Sequence, residues 1–174
     1  MPINLGNNKS AYLYFWGMNI KLLCIGKTDD KKLLALIEEY SKRLNHYIQF
    51  SIEIIPDLKK VKNLSETQQK EKEGELILSK VGPQNHLVLL DENGKEFTSV
   101  DFSKYLQKKM NAGYKTLVLV IGGPYGFSDA VYKASQGKIS LSQMTFSHQM
   151  IRLFITEQLY RGFTILKGEP YHHN

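Results

Sequence analysis

The chain is poor in the features that usually settle a chemistry. It has a single cysteine, Cys24, among 174 residues, so no intramolecular disulfide can form. That cysteine sits in an apolar run, the setting of a buried, inert thiol rather than a nucleophile. Nothing points to secretion, and a reducing cytoplasm is the expected compartment. No apolar run approaches the roughly 20 residues of a membrane span. No Gly-Lys-Ser/Thr follows a glycine cluster, and the glycine spacing of the dinucleotide fingerprint is missing. No Gly-x-Ser-x-Gly elbow is present, which weakens a hydrolase built on Ser147 and His148. His172 and His173 are adjacent and make a poor chelate. No cysteine or carboxylate cluster completes a ligand set, so no metal is expected. Internal repeats and low-complexity stretches are lacking as well.

What remains is an ordinary globular composition, 42% hydrophobic and 23% charged, long enough for one domain with a real core. Lys and Arg number 23 against 17 Asp and Glu, a formal net charge of +6. That balance is compatible with a polyanionic partner without demanding one. Residues 1–17 stand apart. They are Asn-rich and then aromatic through Tyr12, Tyr14, Phe15 and Trp16, with no basic start beyond Lys9 and no small-residue cleavage pattern, so they are not a signal peptide. They read as a tag or non-native N-terminal extension before Met18, with an interfacial aromatic anchor as the rival reading.

From Met18 onward strand and helix patterns alternate. Asn19 to Ile25 is a short apolar strand ending at Gly26. Asp29 or Asp30 caps a helix with Leu33, Leu34, Ile37 and Leu44 at helical spacing. Ile48 to Ile55 alternates, placing Ile48, Phe50, Ile52 and Ile54 on one face. Ser65 and Gln68 form a capping box, and the charged helix after it reads as a solvated face as far as Gly82-Pro83. His86 to Leu90 and Thr116 to Ile121 are continuously apolar, as strands buried on both faces are. Asp91 to Lys95 is a turn, Thr98 to Ala112 a helix, and Ser128 to Ser135 a shorter one. Lys138 to Leu141 is a fifth strand, and Ser147 to Phe163 a last apolar helix. Such alternation predicts an α/β fold with a mostly parallel sheet and helices on both faces. Ligands of such sheets bind beyond the carboxyl ends of the strands.

Three loops follow strands, at Leu90-Asp91, at Gly122-Gly123-Pro124-Tyr125-Gly126-Phe127 and at Ser142 to Phe146, and they are expected to meet on one edge. Glycines let backbone groups approach a ligand closely. Adenine can be read by backbone donors and acceptors alone, so the missing phosphate loop argues against ATP or NAD and leaves room for a phosphate-free adenosyl cofactor such as S-adenosylmethionine. On the last helix Arg152 follows His148 by four residues, so the two share a face. The tail Tyr171-His172 is polar and aromatic.

Several linked motifs in order carry a resemblance. Leu117 to Gly123, Leu141 to Met150, Arg152, Glu157 to Arg161 and Tyr171-His172, with the start Met18 to Lys21 and the turn Gly94-Lys95, strongly resemble the bacterial ribosomal RNA large-subunit methyltransferase H family of the SPOUT class. The resemblance spans Met18 to the C-terminus as a single domain, 18–174. It implies a C-terminal trefoil knot, against which the general expectation for folds runs strongly, and a homodimer. It also implies methylation of N3 of a pseudouridine in helix 69 of 23S ribosomal RNA, on assembled ribosomes, with S-adenosylmethionine as cofactor. The cofactor contacts map onto Leu90, Gly122, Leu141, Ser142, Gln143, Met144, Thr145 and Phe146. Catalytic roles are expected for His148 and Arg152 in positioning substrate and stabilising charge, and for Tyr171 and His172 in closing over the site, possibly from the partner subunit. Ser147 departs from a proline frequent in the family, and Tyr125 occupies a variable loop position. A different class of reading, a non-catalytic adenosyl-ligand-binding regulatory module, accounts for the glycine loop but makes no use of the tail.

Overall fold

The computed structural model describes residues 17–58 and 63–172. The link at 59–62, most of the extension and its aromatic residues (1–16), and His173 and Asn174 lie outside the described residues.

Ten elements alternate: β1 Asn19–Ile25, α1 Lys31–Leu44, β2 Phe50–Ile55, α2 Glu66–Ser79, β3 Asn85–Glu96, α3 Ser99–Asn111, β4 Thr116–Ile121, α4 Asp129–Ala134, β5 Gly137–Ser140 and α5 His148–Leu166. The strands form one sheet in the order β2-β1-β4-β3-β5, and every pairing is parallel. Parallel strands need long crossovers, which the helices supply. Because the central strands are covered on both faces, they are continuously apolar: Leu117, Val118, Leu119 and Val120 are all fully buried.

Successive side chains of a strand point to opposite faces, and the sheet therefore divides two cores. On one face Ile20, Leu22, Leu117 and Leu119 pack with Leu44 of α1, Phe102 and Leu106 of α3, and Ile155, Leu159 and Phe163 of α5. On the other, Leu23, Leu87, Leu89, Val118 and Val120 pack with Ile77 of α2 and Val131 of α4. Burying one such aliphatic side chain stabilises the fold by about 1.5–3 kcal/mol, so neither layer is decorative.

Local signals set most boundaries. Asp30 caps α1 by accepting from the amides of Lys32 and Leu33, and Ser65 and Gln68 form the reciprocal box on α2. Thr98 and Ser128 cap α3 and α4 by accepting from the amides of Asp101 and Val131.

Two expectations are corrected. The segment Asp91 to Lys95 is not simply a turn: β3 runs on to Glu96, with its pairing to β5 broken between Leu90 and Lys95. The close approach there needs Gly94, since a Cβ would overlap the backbone of Ile139 and Ser140. Phe50, Ile52 and Ile54 alternate along β2, and Ile54 is the exposed one of the three on this edge strand. The charged α2 is not merely a solvated face. Glu73, Gly74 and Ile77 are buried, and Gly74 is pressed so closely on Ser128 that no larger residue fits.

Candidate functional site: a backbone-lined cavity at the carboxyl edge of the sheet

β4, β3 and β5 are neighbours in the sheet, so the turns after β4 and β5 open beside the irregular stretch of β3 that follows Leu90. Together they line a cavity of about 590 Å³, within the range of small-molecule sites. Leu90 comes from β3, Gly122 from the end of β4, and Leu141, Ser142, Met144, Thr145 and Phe146 from the loop after β5. Those are seven of the eight residues expected to touch a cofactor; Gln143 is in the same loop but does not line the cavity. His148, at the start of α5, also faces it.

The glycine turn is held from behind. The Gly126 amide donates to the Gly123 carbonyl at 3.1 Å, and Gly126 has φ +78°, which glycine tolerates. Gly123 also lets Glu73 come close, because an added Cβ would overlap its carboxylate unless that side chain moved. Glu73 is only 2% exposed. Its Oε1 accepts from Gln69 at 2.9 Å, while Oε2 has no partner among the described residues. Burial pushes its pKa up, aided by the negative charge of Asp57 and opposed by the Gln69 hydrogen bond and by His148. The loop after β5 is held by its own serines: Ser140 Oγ donates to the Ser142 carbonyl, and the Met144 amide donates to Ser142 Oγ, each at 2.9 Å. Met144 stands 74% exposed at the mouth.

Ser147 takes the position where proline is frequent in the resembling family and acts as the cap of α5, its Oγ accepting from the Met150 amide. The first turn of α5 is tied to the loop after β1. Gln149 Oε1 accepts from the amides of Asp29 and Asp30. Arg152, 2% exposed, donates through Nη2 to the Ile25 carbonyl and through Nη1 to Thr28 Oγ1, both at 2.8 Å. His148 and Arg152 share a helix face in projection, yet they diverge: His148 is exposed to the cavity while Arg152 turns inward and locks the β1 loop.

Tyr171 and His172 are elsewhere. α5 runs back across the sheet, and 13 residues of helix from His148 to Arg161 span about 20 Å. At that far end the Tyr171 hydroxyl donates to Glu157 Oε1 at 3.0 Å and lies 3.3 Å from the Tyr40 hydroxyl. Its ring packs edge-on against Tyr160 and under the Arg161 guanidinium. Arg161 also donates to Glu157 and lies 3.4 Å from His172 Nδ1. Burial, then the bonds to Tyr40 and Glu157, raise the Tyr171 pKa, so its phenol stays a donor at neutral pH. A second cavity of about 390 Å³, lined by Phe97, Phe102, Phe154, Glu157 and Gln158, shares Leu141, Ser142 and Phe146 with the first. Glu157, Tyr40 and Tyr160 were missed as site candidates. The i,i+4 pair Glu157 and Arg161 was the available signal for the first; nothing in the spacing of the tyrosines announces that they meet the tail. Burial raises the Cys24 pKa to about 11, against the opposing charge of Arg152, and keeps the thiol protonated.

Among the described residues no group of three His, Cys, Asp or Glu side chains is placed to hold a metal, and no helix is long and apolar enough to cross a membrane.

The chain that folds into this parallel sheet around one edge cavity is matched by a family profile. That profile, described as "Predicted SPOUT methyltransferase", covers residues 18–172; the chain belongs to the SPOUT methyltransferases. Its fold is shared by a probable methylase family protein from Haemophilus influenzae Rd KW20, with TM-score 0.50 and 12% identity over 91% of this chain and 72% of the other. Within the class, more similar sequences share one name. The Ribosomal RNA large subunit methyltransferase H of Flavobacterium psychrophilum is 75% identical over 156 residues, 90% of this chain and 99% of that protein. The protein of the same name from Christiangramia forsetii is 70% identical over the same shares. SPOUT methyltransferases use S-adenosylmethionine. The cavity suits such a ligand, since glycine turn and loop residues line it and the sequence has no phosphate-binding loop.

Proposed function

We propose that this protein is an S-adenosylmethionine-dependent methyltransferase of 23S ribosomal RNA, acting in the cytoplasm on N3 of a pseudouridine in helix 69 of assembled ribosomes. The observation that carries the reading is the meeting of the turns after β4 and β5 with the irregular stretch of β3 around one 590 Å³ cavity in a chain 75% identical to a ribosomal RNA methyltransferase.

The bound cofactor supplies an electrophilic methyl on a sulfonium. The chain's own residues then have two tasks. Leu90, Gly122 and the loop from Leu141 to Phe146 hold the adenosyl group so that the acceptor nitrogen meets the methyl in line, and positioning of this kind supplies much of the acceleration. The acceptor is an imide N–H, a weak nucleophile until its proton leaves. His148 faces the cavity and is placed to take that proton or to orient the base. Arg152 acts one step back: its bonds to Ile25 and Thr28 fix the turn of α5 that presents His148.

The tail supports a homodimer. Tyr171 is bonded to Glu157, nine helix residues or about 13 Å along α5 from His148, and in this reading the tail that acts with His148 comes from a second subunit. The trefoil knot and the dispensability of residues 1–17 belong to the same proposal, the latter supported by a family match that begins at residue 18.

Mass mapping of 23S ribosomal RNA from cells lacking the protein tests the reading. A missing methyl at the helix 69 pseudouridine is expected, restored by the gene for residues 18–174 alone. Full methylation in the deletion strain would end it. Calorimetry separates the regulatory-module reading, in which the adenosyl ligand binds and no ribosome is methylated.

A further inference from the structure

We propose that Tyr125 is a stacking platform for a nucleobase of the RNA substrate, set at the rim of the cofactor cavity; this rests on the proposed function. Eight tyrosines are described. Seven of them have internal work. Tyr40, Tyr47, Tyr160 and Tyr171 form the cluster at the far end of α5. Tyr105 packs on Phe97 and Phe102, Tyr114 on His86, and Tyr132 on Phe127 while donating to Asp91. Tyr125 makes no hydrogen bond or ring contact with any described residue, and it is 44% exposed where it lines the cavity.

Its isolation is not that of a loose loop. Tyr125 follows Pro124, whose φ is fixed, inside the turn closed by Gly126 and Gly123. The turn is braced beneath by Phe127 against Gly122 and by Glu73 against Gly123. A rigid turn that presents an unpartnered aromatic face loses little entropy when a flat ligand packs on it.

The charge at this rim selects the ligand. Glu66, Asp91 and Glu92 line the same cavity, with Lys70 the one lysine among the lining residues. Three carboxylates to one ammonium repel a phosphate backbone, whereas the face of a base is uncharged. A base presented for chemistry has left its stack and gains from a replacement aromatic neighbour. Tyr125 supplies that neighbour beside the place where the methyl is delivered. Exposed Met144 stands on another wall of the same mouth and offers a second apolar contact.

The test uses the full-length protein and ribosomes lacking the modification, with wild type, Y125A and Y125F compared. Stacking on one base is expected to give Y125A a KM for ribosomes raised roughly 10- to 100-fold, with S-adenosylmethionine affinity by calorimetry, sedimentation and melting temperature unchanged. Y125F, which keeps the ring, restores the KM. The inference is overturned if Y125A matches wild type, if it weakens cofactor binding by the same factor (the ring then belongs to the adenosyl group), or if it dissociates a dimer. Wild-type protein that binds the cofactor and leaves these ribosomes unmethylated overturns the proposed function, and this inference with it.

Discussion

The two ends of α5 are built on opposite principles. At its start the cavity is walled by turns, glycine and main chain, and the side chains at the mouth, Tyr125, Met144 and His148, point to open space. Toward its far end the side chains of Tyr40, Tyr160, Tyr171, Glu157 and Arg161 fasten the tail, beside the backbone bonds of Gly168 and Glu169 to the last turn of the helix. A backbone wall recognises a ligand whose shape is fixed; a side-chain cluster holds a segment in one pose and can hand it to a neighbour. The first end frames the larger cavity, while the second reaches only the smaller one, through Glu157.

Removing residues 169–174 breaks the far end only. Methyl transfer is expected to fall by about two orders of magnitude or more, the scale of a lost acid–base or positioning group, while S-adenosylmethionine affinity stays within twofold. Single-turnover rates and calorimetry on the same preparation check this. Cofactor affinity lost in step with rate would mean that the tail belongs to the cofactor site.

Arg152 joins the near end to the sheet, so Arg152→Met sharpens the contrast. The variant keeps much of the volume but leaves the Ile25 carbonyl and Thr28 unpaired. Bonds from a charged donor in a buried place make the loss about 2–4 kcal/mol in urea unfolding. A role in substrate contact alone would leave stability intact and move only the rate.

Gly123→Ala attacks the near end from behind. Its methyl would meet the Glu73 carboxylate, and overpacking of this sort costs about 1–3 kcal/mol. The strain falls on the turn that lines the cavity, so cofactor affinity is expected to weaken tenfold or more while the Tyr171 cluster is unaffected. Equal affinity in the two proteins would show that the turn does not touch the ligand.

The near end was the more legible in sequence because its signals are local. A continuous apolar run announces a buried strand, glycines announce a backbone that must come close, and the ligand edge of a parallel sheet follows from alternation. Leu90, Gly122 and Leu141 to Phe146 could thus be named together, with the family resemblance supplying the positions. The far end was less legible because its meaning lies in separation. Spacing placed His148 and Arg152 on one face but could not show that one turns out and the other in. Motif order set Tyr171 and His172 to close over the site, possibly from a partner subunit, but could not show that within one chain Tyr171 is bonded to Glu157. Glu73 was hidden in a charged helix; Gly74 beside it was the clue, an isolated glycine that marks close packing.

The two edges of the sheet should also differ in their response to pH, the smallest effect expected. His86, at the start of β3 on the edge opposite the cavity, is 3% exposed with neither ring nitrogen partnered. Burial, helped by the charge of Lys109, lowers its pKa to about 4. The unfolded imidazole titrates near about 6.5, so between those values the unfolded chain binds the extra proton. Stability is therefore present at neutral pH and lost as pH falls through this window, by about 1 kcal/mol per unit. Glu73, beneath the glycine turn, works in the other direction. Its raised pKa lets the folded chain keep a proton that the unfolded chain has released, so its contribution is present in acid and lost as pH rises above the ordinary glutamate value. Urea midpoints across pH 4–7 for His86→Phe and Glu73→Gln separate the two. The first variant should flatten the acid loss. The second should deepen it, because the opposing gain from Glu73 is gone; a Glu73→Gln profile parallel to wild type would show that the carboxyl under the turn is not buried as described.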